Sequence, residues 1–231
     1  MKFILFRALV GWSAGALLLG AAGCANLLPK PPVAPASYTL DNAPRAVTSL
    51  PRDPAVAGTA RPTLAVNRPQ ASPGYDSVGI VYTRESQRLG TYANSVWVDT
   101  PARMLMPMLV AAIESTRAFP AVVQSPSAAR ADIELDTEIL RLQQDFSSQP
   151  SRVRFSLRAS LVDSMTRRVL ASEQFDAVVD STSEDARGGV VAADAAVRNV
   201  VNRLAALCSE TEVRWRLAND HILVERKGVP P

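Results

Sequence analysis

One histidine, His221, and two cysteines, Cys24 and Cys208, are all that 231 residues offer of those types. So few cannot assemble a Cys/His zinc site or a His-rich metal cluster. The histidine lies near the C-terminal end, so a Ser-His-Asp or Cys-His device has no imidazole in the central part of the chain. Glycine-rich phosphate loops are missing, since Gly188-Gly189 alone does not make one. After residue 30 no apolar run approaches the roughly 18 residues of a membrane-spanning helix. Charge of one sign is lacking too. The formal +3 includes Lys2 and Arg7, and without them 23 basic residues face 22 acidic ones. A net +1 gives nucleic acid no electrostatic foothold. Carboxylates such as Asp180, Glu184 and Asp185 cluster at an expected helix start, where the helix dipole favours them without any catalytic task. No catalytic residue, metal ligand or cofactor site is therefore assigned.

What is present starts with an export signal. Lys2 and Arg7 form a positive n-region, Ala8 to Ala22 an apolar stretch, and Ala21-Ala22-Gly23-Cys24 ends it with small residues before a thiol. This pattern resembles the lipobox of bacterial lipoproteins, with Ala21 where that motif usually has Leu. The resemblance implies removal of residues 1–23 and diacylation of Cys24, a covalent lipid and not a cofactor. At about 0.8 kcal/mol per buried methylene, two or three acyl chains hold a protein on a bilayer. Ala25 stands where lipoproteins kept at the inner membrane have Asp, which favours the outer membrane. With Cys24 lipidated, Cys208 has no disulfide partner and reads as a small buried hydrophobe.

Residues 29–73 hold 10 of the 17 prolines, so the stretch 24–73 reads as a lipid-anchored, Pro-rich tether, semi-rigid or loosely docked. Two strand-like islands interrupt it, Ser37–Asp41 (Tyr38, Leu40) and Arg61–Asn67 (Leu64, Val66), with a long loop expected over Asn42–Ala60. From Tyr75 the pattern is that of a packed domain. Ser77–Thr83 and residues 88–98 read as strands. Thr100 and Pro101 then open a helix to about residue 118, which Pro107 should kink or shorten. Its methionines Met104, Met106 and Met108 could face lipid or core.

Three long strands follow as a meander over about 131–180. In Ser151–Asp163 the apolar residues Val153, Phe155, Leu157, Ala159 and Leu161 alternate with Arg152, Arg154, Ser156, Arg158 and Ser160. Those arginines could grip phosphates, or strand-mates such as Glu134, Asp136 and Glu138 could neutralise them. In Ala131–Phe146 the alternation slips phase at Ile139-Leu140, as a β-bulge would produce. A helix over about 185–209 is expected next, its first turn weakened by Gly188-Gly189 so that it could begin near Val190. Residues 210–231 read as a tail or hairpin, since Val213, Trp215 and Leu217 alternate before Asn219-Asp220. The fold class is α+β: a mostly antiparallel sheet packed against two main helices, about 101–118 and 185–209.

The order of features resembles one family. Tyr38-Thr39-Leu40 near the tether is followed by Gly74-Tyr75-Asp76-Ser77 and Ile80-Val81-Tyr82-Thr83-Arg84. Leu89, Tyr92 and Asn94-Ser95 then lead to Trp97-Val98-Asp99-Thr100-Pro101, and Phe119-Pro120-Ala121-Val122 closes the block. The series is similar to the ABC-type transport auxiliary lipoproteins, the family of the paraquat-inducible C lipoprotein, with Val98 and Thr100 as departures from its usual Trp-Ala-Asp-Pro-Pro. The resemblance implies a non-enzymatic component of an intermembrane lipid transport system, with residues 74–209 as the auxiliary domain and strands from about 37 contributing. It implies an outer-membrane lipoprotein facing the periplasm. Its implied partners are an MCE-domain protein and, through it, an inner-membrane ABC transporter, with a homo-oligomer compatible and nucleic acid not involved. Tyr92 and Trp97 are candidates for a docking surface, the alternative being that Trp97 fills core beside the 101–117 helix. A second reading is a structural or assembly lipoprotein that partners an outer-membrane β-barrel.

Overall fold

The computed structural model describes residues 34–40 and 61–227. The Asn42–Ala60 loop, Cys24 and the export signal lie outside the described residues. At the centre are three long antiparallel strands that in chain order become β7 (Ile133–Asp145), β8 (Arg152–Asp163) and β9 (Val169–Asp180). Their period-two pattern puts Ile133, Leu135, Ile139, Val153, Phe155, Leu157, Ala159, Leu161 and Phe175 in the core. The phase slip is a real bulge. Ile139 opposes Leu157 and Arg141 opposes Ser156, which leaves Leu140 without a cross-strand partner. Odd residues of β7 therefore point inward before Leu140, whereas Leu142 and Gln144 do so after it.

The other edge of β7 is shared by three strands in succession, all parallel to it: β2 (Leu64–Val66), β3 (Gln70–Ala71) and β4 (Gly79–Glu85). Outside β2 lies β6 (Val122–Gln124). Outside β4 lie β5 (Arg88–Trp97), antiparallel to it, and then β1 (Ala36–Tyr38). The strand-like island at Arg61–Asn67 is β2, so the Pro-rich stretch 24–73 joins the sheet at its end. Residues 61–73 are part of the sheet, with Leu64 and Val66 fully buried. Pro62, Pro69 and Pro73 stand between these short strands, where no ladder donor is needed.

Helix α1 (Pro101–Thr116) starts on Pro101 and ends at Arg117, whose φ of 57° is left-handed. Pro107 does not end it. That residue is exposed, so the carbonyl it leaves without a helical donor can face water. Met104 and Met108 are buried in the core, and Met106 packs against it.

Helix α2 runs from Ala186 to Lys227, 42 residues and about 63 Å at 1.5 Å per residue. This corrects the tail or hairpin expected for 210–231: the helix continues to Lys227. No Gly or Pro interrupts residues 190–227, and Leu204, Cys208, Thr211 and Glu212 continue the buried face at helical spacing. Two side-chain contacts hold the extension. Trp215 donates its indole N–H to Asp163 at 3.1 Å. Glu212, almost fully buried, pairs with Arg61 at 3.5 Å, and the Arg61 guanidinium also donates to the carbonyls of Arg117 and Ala118 at the end of α1.

The start of α2 is also earlier than Val190. Asp185 accepts from the Gly188 N–H at 2.8 Å, which caps the helix. The two glycines are there for space. A Cβ at Gly188 would collide with the Ser183 backbone, and one at Gly189 with the Gln144 amide. Both helices cover one side of the sheet and touch each other, which leaves the opposite side of β7–β9 open.

A candidate ligand groove on the open sheet face

The open face is a ladder of charges. Arg152 pairs with Asp180 at 2.9 Å, Arg154 with Asp145 at 2.8 Å, Arg158 with Glu138 at 3.2 Å and Arg167 with Glu134 at 3.0 Å. Ser156 donates to Asp176 at 2.5 Å. The strand arginines are therefore spent on cross-strand partners, one of the two expected arrangements. Exposed pairs of this kind stabilise by about 0–1 kcal/mol each.

One part of this face is concave. A groove of about 560 Å³ lies between the β4–β5 hairpin and the ends of β7 and β8, lined by Tyr75, Leu89, Arg141, Gln143, Asp145 and Arg154 among others. Gly74, with φ of 96°, turns the chain so that the Tyr75 N–H reaches the Ser72 carbonyl at 3.0 Å. The Tyr75 hydroxyl then donates to Gln143 Oε1 at 2.5 Å. Burial pushes the Tyr75 pKa up, and the neighbouring Arg141, within hydrogen-bonding reach, opposes that rise. Burial works against the Asp145 carboxylate as well, but bonds from Ser147 and Arg154 outweigh it and hold the carboxyl below its usual range. The bulge at Leu140 brings Arg141 here, because in an unbroken alternation it would share the inward face of Ile139.

Tyr92 and Trp97 lie elsewhere. Trp97 is 4% exposed and belongs to the core with Met104 and Leu105, so its ring cannot present a docking surface. Tyr92 is partly buried, packs at a tilt against the Tyr82 ring at 4.9 Å and donates to Gln144 Oε1 at 2.8 Å. Burial raises its pKa to about 12. The Gln144 amide nitrogen in turn donates its two hydrogens to Ser151 (2.9 Å) and Ser181 (3.3 Å). The carboxylates at the start of α2 have structural partners. Asp180 pairs with Arg152, Glu184 accepts from the Ser151 N–H at 2.9 Å, and Asp185 is the cap. Cys208 is fully buried, and burial lifts its thiol to about 12.

Among the described residues no group of three or more His, Cys, Asp or Glu side chains could hold a metal ion, and no helix is long and apolar enough to cross a membrane. The groove itself went unnoticed in the sequence. The available signal was the parity of Arg141 after the phase slip, which assigns it to the same face as Gln143 and Asp145.

Fold and groove together define a two-layer α+β module whose helices cover one sheet face and leave a polar, hydrogen-bonding one open. The model of the ABC-type transport auxiliary lipoprotein component family matches residues 38–205. That span is well over half the chain, and the chain belongs to this family. Among solved structures it is similar to a protein from Xanthomonas campestris, at 23% identity and TM-score 0.64, covering 79% of this chain and 98% of that one. A second crystal structure, of an uncharacterized protein, is 13% identical with TM-score 0.57 and covers 76% and 99% of the two chains. At such identities the likeness shows the fold alone. No curated protein matches the sequence.

Proposed function

We propose that the mature protein, acylated on Cys24, is a non-catalytic component of an MCE/ABC-type intermembrane lipid transport system that docks the machinery at the outer membrane from the periplasmic side. The observation that carries this reading is the family match, which begins in β1 and runs through the sheet, α1 and the first half of α2. An ABC-type auxiliary lipoprotein needs an anchor and a partner-facing domain, and an export signal ending at Cys24 ahead of a packed α+β module supplies both. The helix-start carboxylates are exposed but taken up by structural hydrogen bonds, which supports a binding role over a catalytic one. The test is capture of the native lipidated protein from detergent-solubilised envelope, which should recover an MCE-domain protein. Recovery of an outer-membrane β-barrel without any MCE protein would reject the assignment in favour of an assembly lipoprotein. Intact-mass measurement should show the diacyl modification on Cys24, and a bare polypeptide would remove the anchor.

A further inference from the structure

The groove on the open face is lined by more cationic than anionic side chains, Arg84, Arg141 and Arg154 against Glu85 and Asp145. Arg154 is matched by Asp145 at 2.8 Å and Glu85 by Arg88 at 3.5 Å. The Arg84 guanidinium lies over the rings of Phe146 (5.0 Å) and Tyr82 (5.6 Å). Arg84 and Arg141 then make no salt bridge among the described residues, since a ring face does not neutralise a guanidinium. Asp176, two strands along the same row, makes its hydrogen bonds to Ser156 and Gln174, and the Arg141 charge also helps to lower its pKa. Two guanidiniums without a salt bridge, with Asp145 and Glu85 nearby, leave the groove a modest positive excess that suits an anionic ligand.

The surroundings of Arg141 narrow the chemistry further. Tyr75 and Gln143 stand beside it, and Ser86, Gln87 and Ser147 add neutral hydrogen-bonding groups. Such a set recognises hydroxyls next to an anion. Peptide recognition usually uses either an open strand edge or a deep apolar anchor pocket. Neither is available here, because β4 and β7 are paired with each other at this end and Leu89 is the one aliphatic side chain lining the groove. The volume is within the range of small-ligand sites, about 300–1,000 Å³.

We propose that this groove binds a phosphodiester bearing hydroxyl groups, anchored by Arg141 and oriented by Tyr75 and Gln143. The source we assign is the headgroup of an anionic phospholipid, a choice that rests on the transport role proposed above.

The test titrates the full mature lipoprotein, in non-ionic detergent, with short-chain phosphatidylglycerol and follows binding by calorimetry. Arg141→Gln should weaken binding about tenfold or more, since a hydrogen bond to a charged group is lost. Arg141→Lys keeps the charge without the fork and should weaken it several-fold. Tyr75→Phe should also weaken it, whereas Arg158→Gln, outside the groove, should leave it unchanged. Unaltered affinity in both Arg141 variants would overturn the site, and the lysine variant keeps that outcome reachable if the glutamine variant does not fold. Inorganic phosphate binding as tightly as the diester would overturn the diester assignment, and displacement by an acidic peptide would overturn the ligand class. Chain-free glycerophosphoglycerol binding as tightly as the lipid would overturn the lipid source. The two readings fail separately: lost headgroup binding leaves partner capture to decide transport, and failed capture with Arg141-dependent binding removes the transport role alone.

Discussion

Replacing Gly189 with Ala should destabilise the protein, against the ordinary rule that Ala improves a helix over Gly by roughly 0.5–1 kcal/mol. The new Cβ would fall on the Gln144 amide, which is 2% exposed and joined to Tyr92, Ser151 and Ser181 at 2.8, 2.9 and 3.3 Å. Either the amide moves and leaves buried partners unsatisfied, at about 1–3 kcal/mol, or the helix start shifts off the sheet, an overpacking cost of about the same size. After the propensity gain is subtracted, a net loss of about 1–2 kcal/mol remains. Unfolding followed by circular dichroism should show it as a drop in Tm of roughly 2–4 °C per kcal/mol for a domain of this size. Combining Gly189→Ala with Gln144→Ala opens the space again, so the double variant should be more stable than the sum of the two single losses allows. A neutral or stabilising Gly189→Ala would refute the reasoning, because it would mean the amide and the helix are not in contact.

Two further outcomes follow from the same side-chain accounting. Trp215→Phe removes the indole N–H bond to Asp163 and keeps most of the ring. It should cost about 1–2 kcal/mol and speed hydrogen exchange from about residue 211 onward while leaving β7 and β8 protected. Asp163 is desolvated by burial, yet bonds from Thr166, Trp215 and Met165 outweigh that and lower its pKa. Asp145 and Asp176 are likewise lowered. A carboxylate held below its unfolded value of about 3.9 adds stability that is complete above that value and is lost as pH falls through the folded one. Denaturant midpoints should therefore be flat from neutrality to about pH 5 and decline below about pH 4. Asp163→Asn should flatten part of that decline, and an unchanged acid limb would count against the Asp163 contacts.

Period-two segments were legible in the sequence because one face of each is buried, and a wrong register would expose the whole core face. That is why β7, β8, β9 and the bulge were read in place. The short strands β3 and β6 were not, since two or three residues carry no periodicity and their pairing with β7 and β2 is decided by contacts far away in the chain. Residues 210–227 misled for a related reason. Val213, Trp215 and Leu217 alternate, but Leu207, Thr211 and Trp215 also fall at helical spacing, and a short run cannot separate the two. Burial of Thr211 and Glu212 against the rest of the molecule settles it as helix. Trp97 was left between docking surface and core because aromatics suit both, and a single sequence does not record which one supplies the contact.

The bulge permits a last test of the register argument. Ile139 opposes Leu157 and Arg141 opposes Ser156, so Leu140 is the one residue in this part of β7 that the ladder does not use. Deleting Leu140 should join two already consecutive pairs. Arg141, Gln143 and Asp145 would stay on the open face, and Leu142 and Gln144 on the inner one. Loss of the local twist and of one partly buried side chain should cost about 1–2 kcal/mol, with cooperative unfolding retained. Deleting Arg158 from the regular strand β8 should have a different outcome, although that side chain is exposed and its ion pair is weak. Every residue between it and the Ser164–Arg168 turn would change face, turning Ala159 and Leu161 outward and Ser160 inward under the helices. That protein should not fold. If both deletions were tolerated, or both abolished folding, the face of each β7 residue would not be set by the ladder, and the placement of Arg141 in the groove would lose its cause.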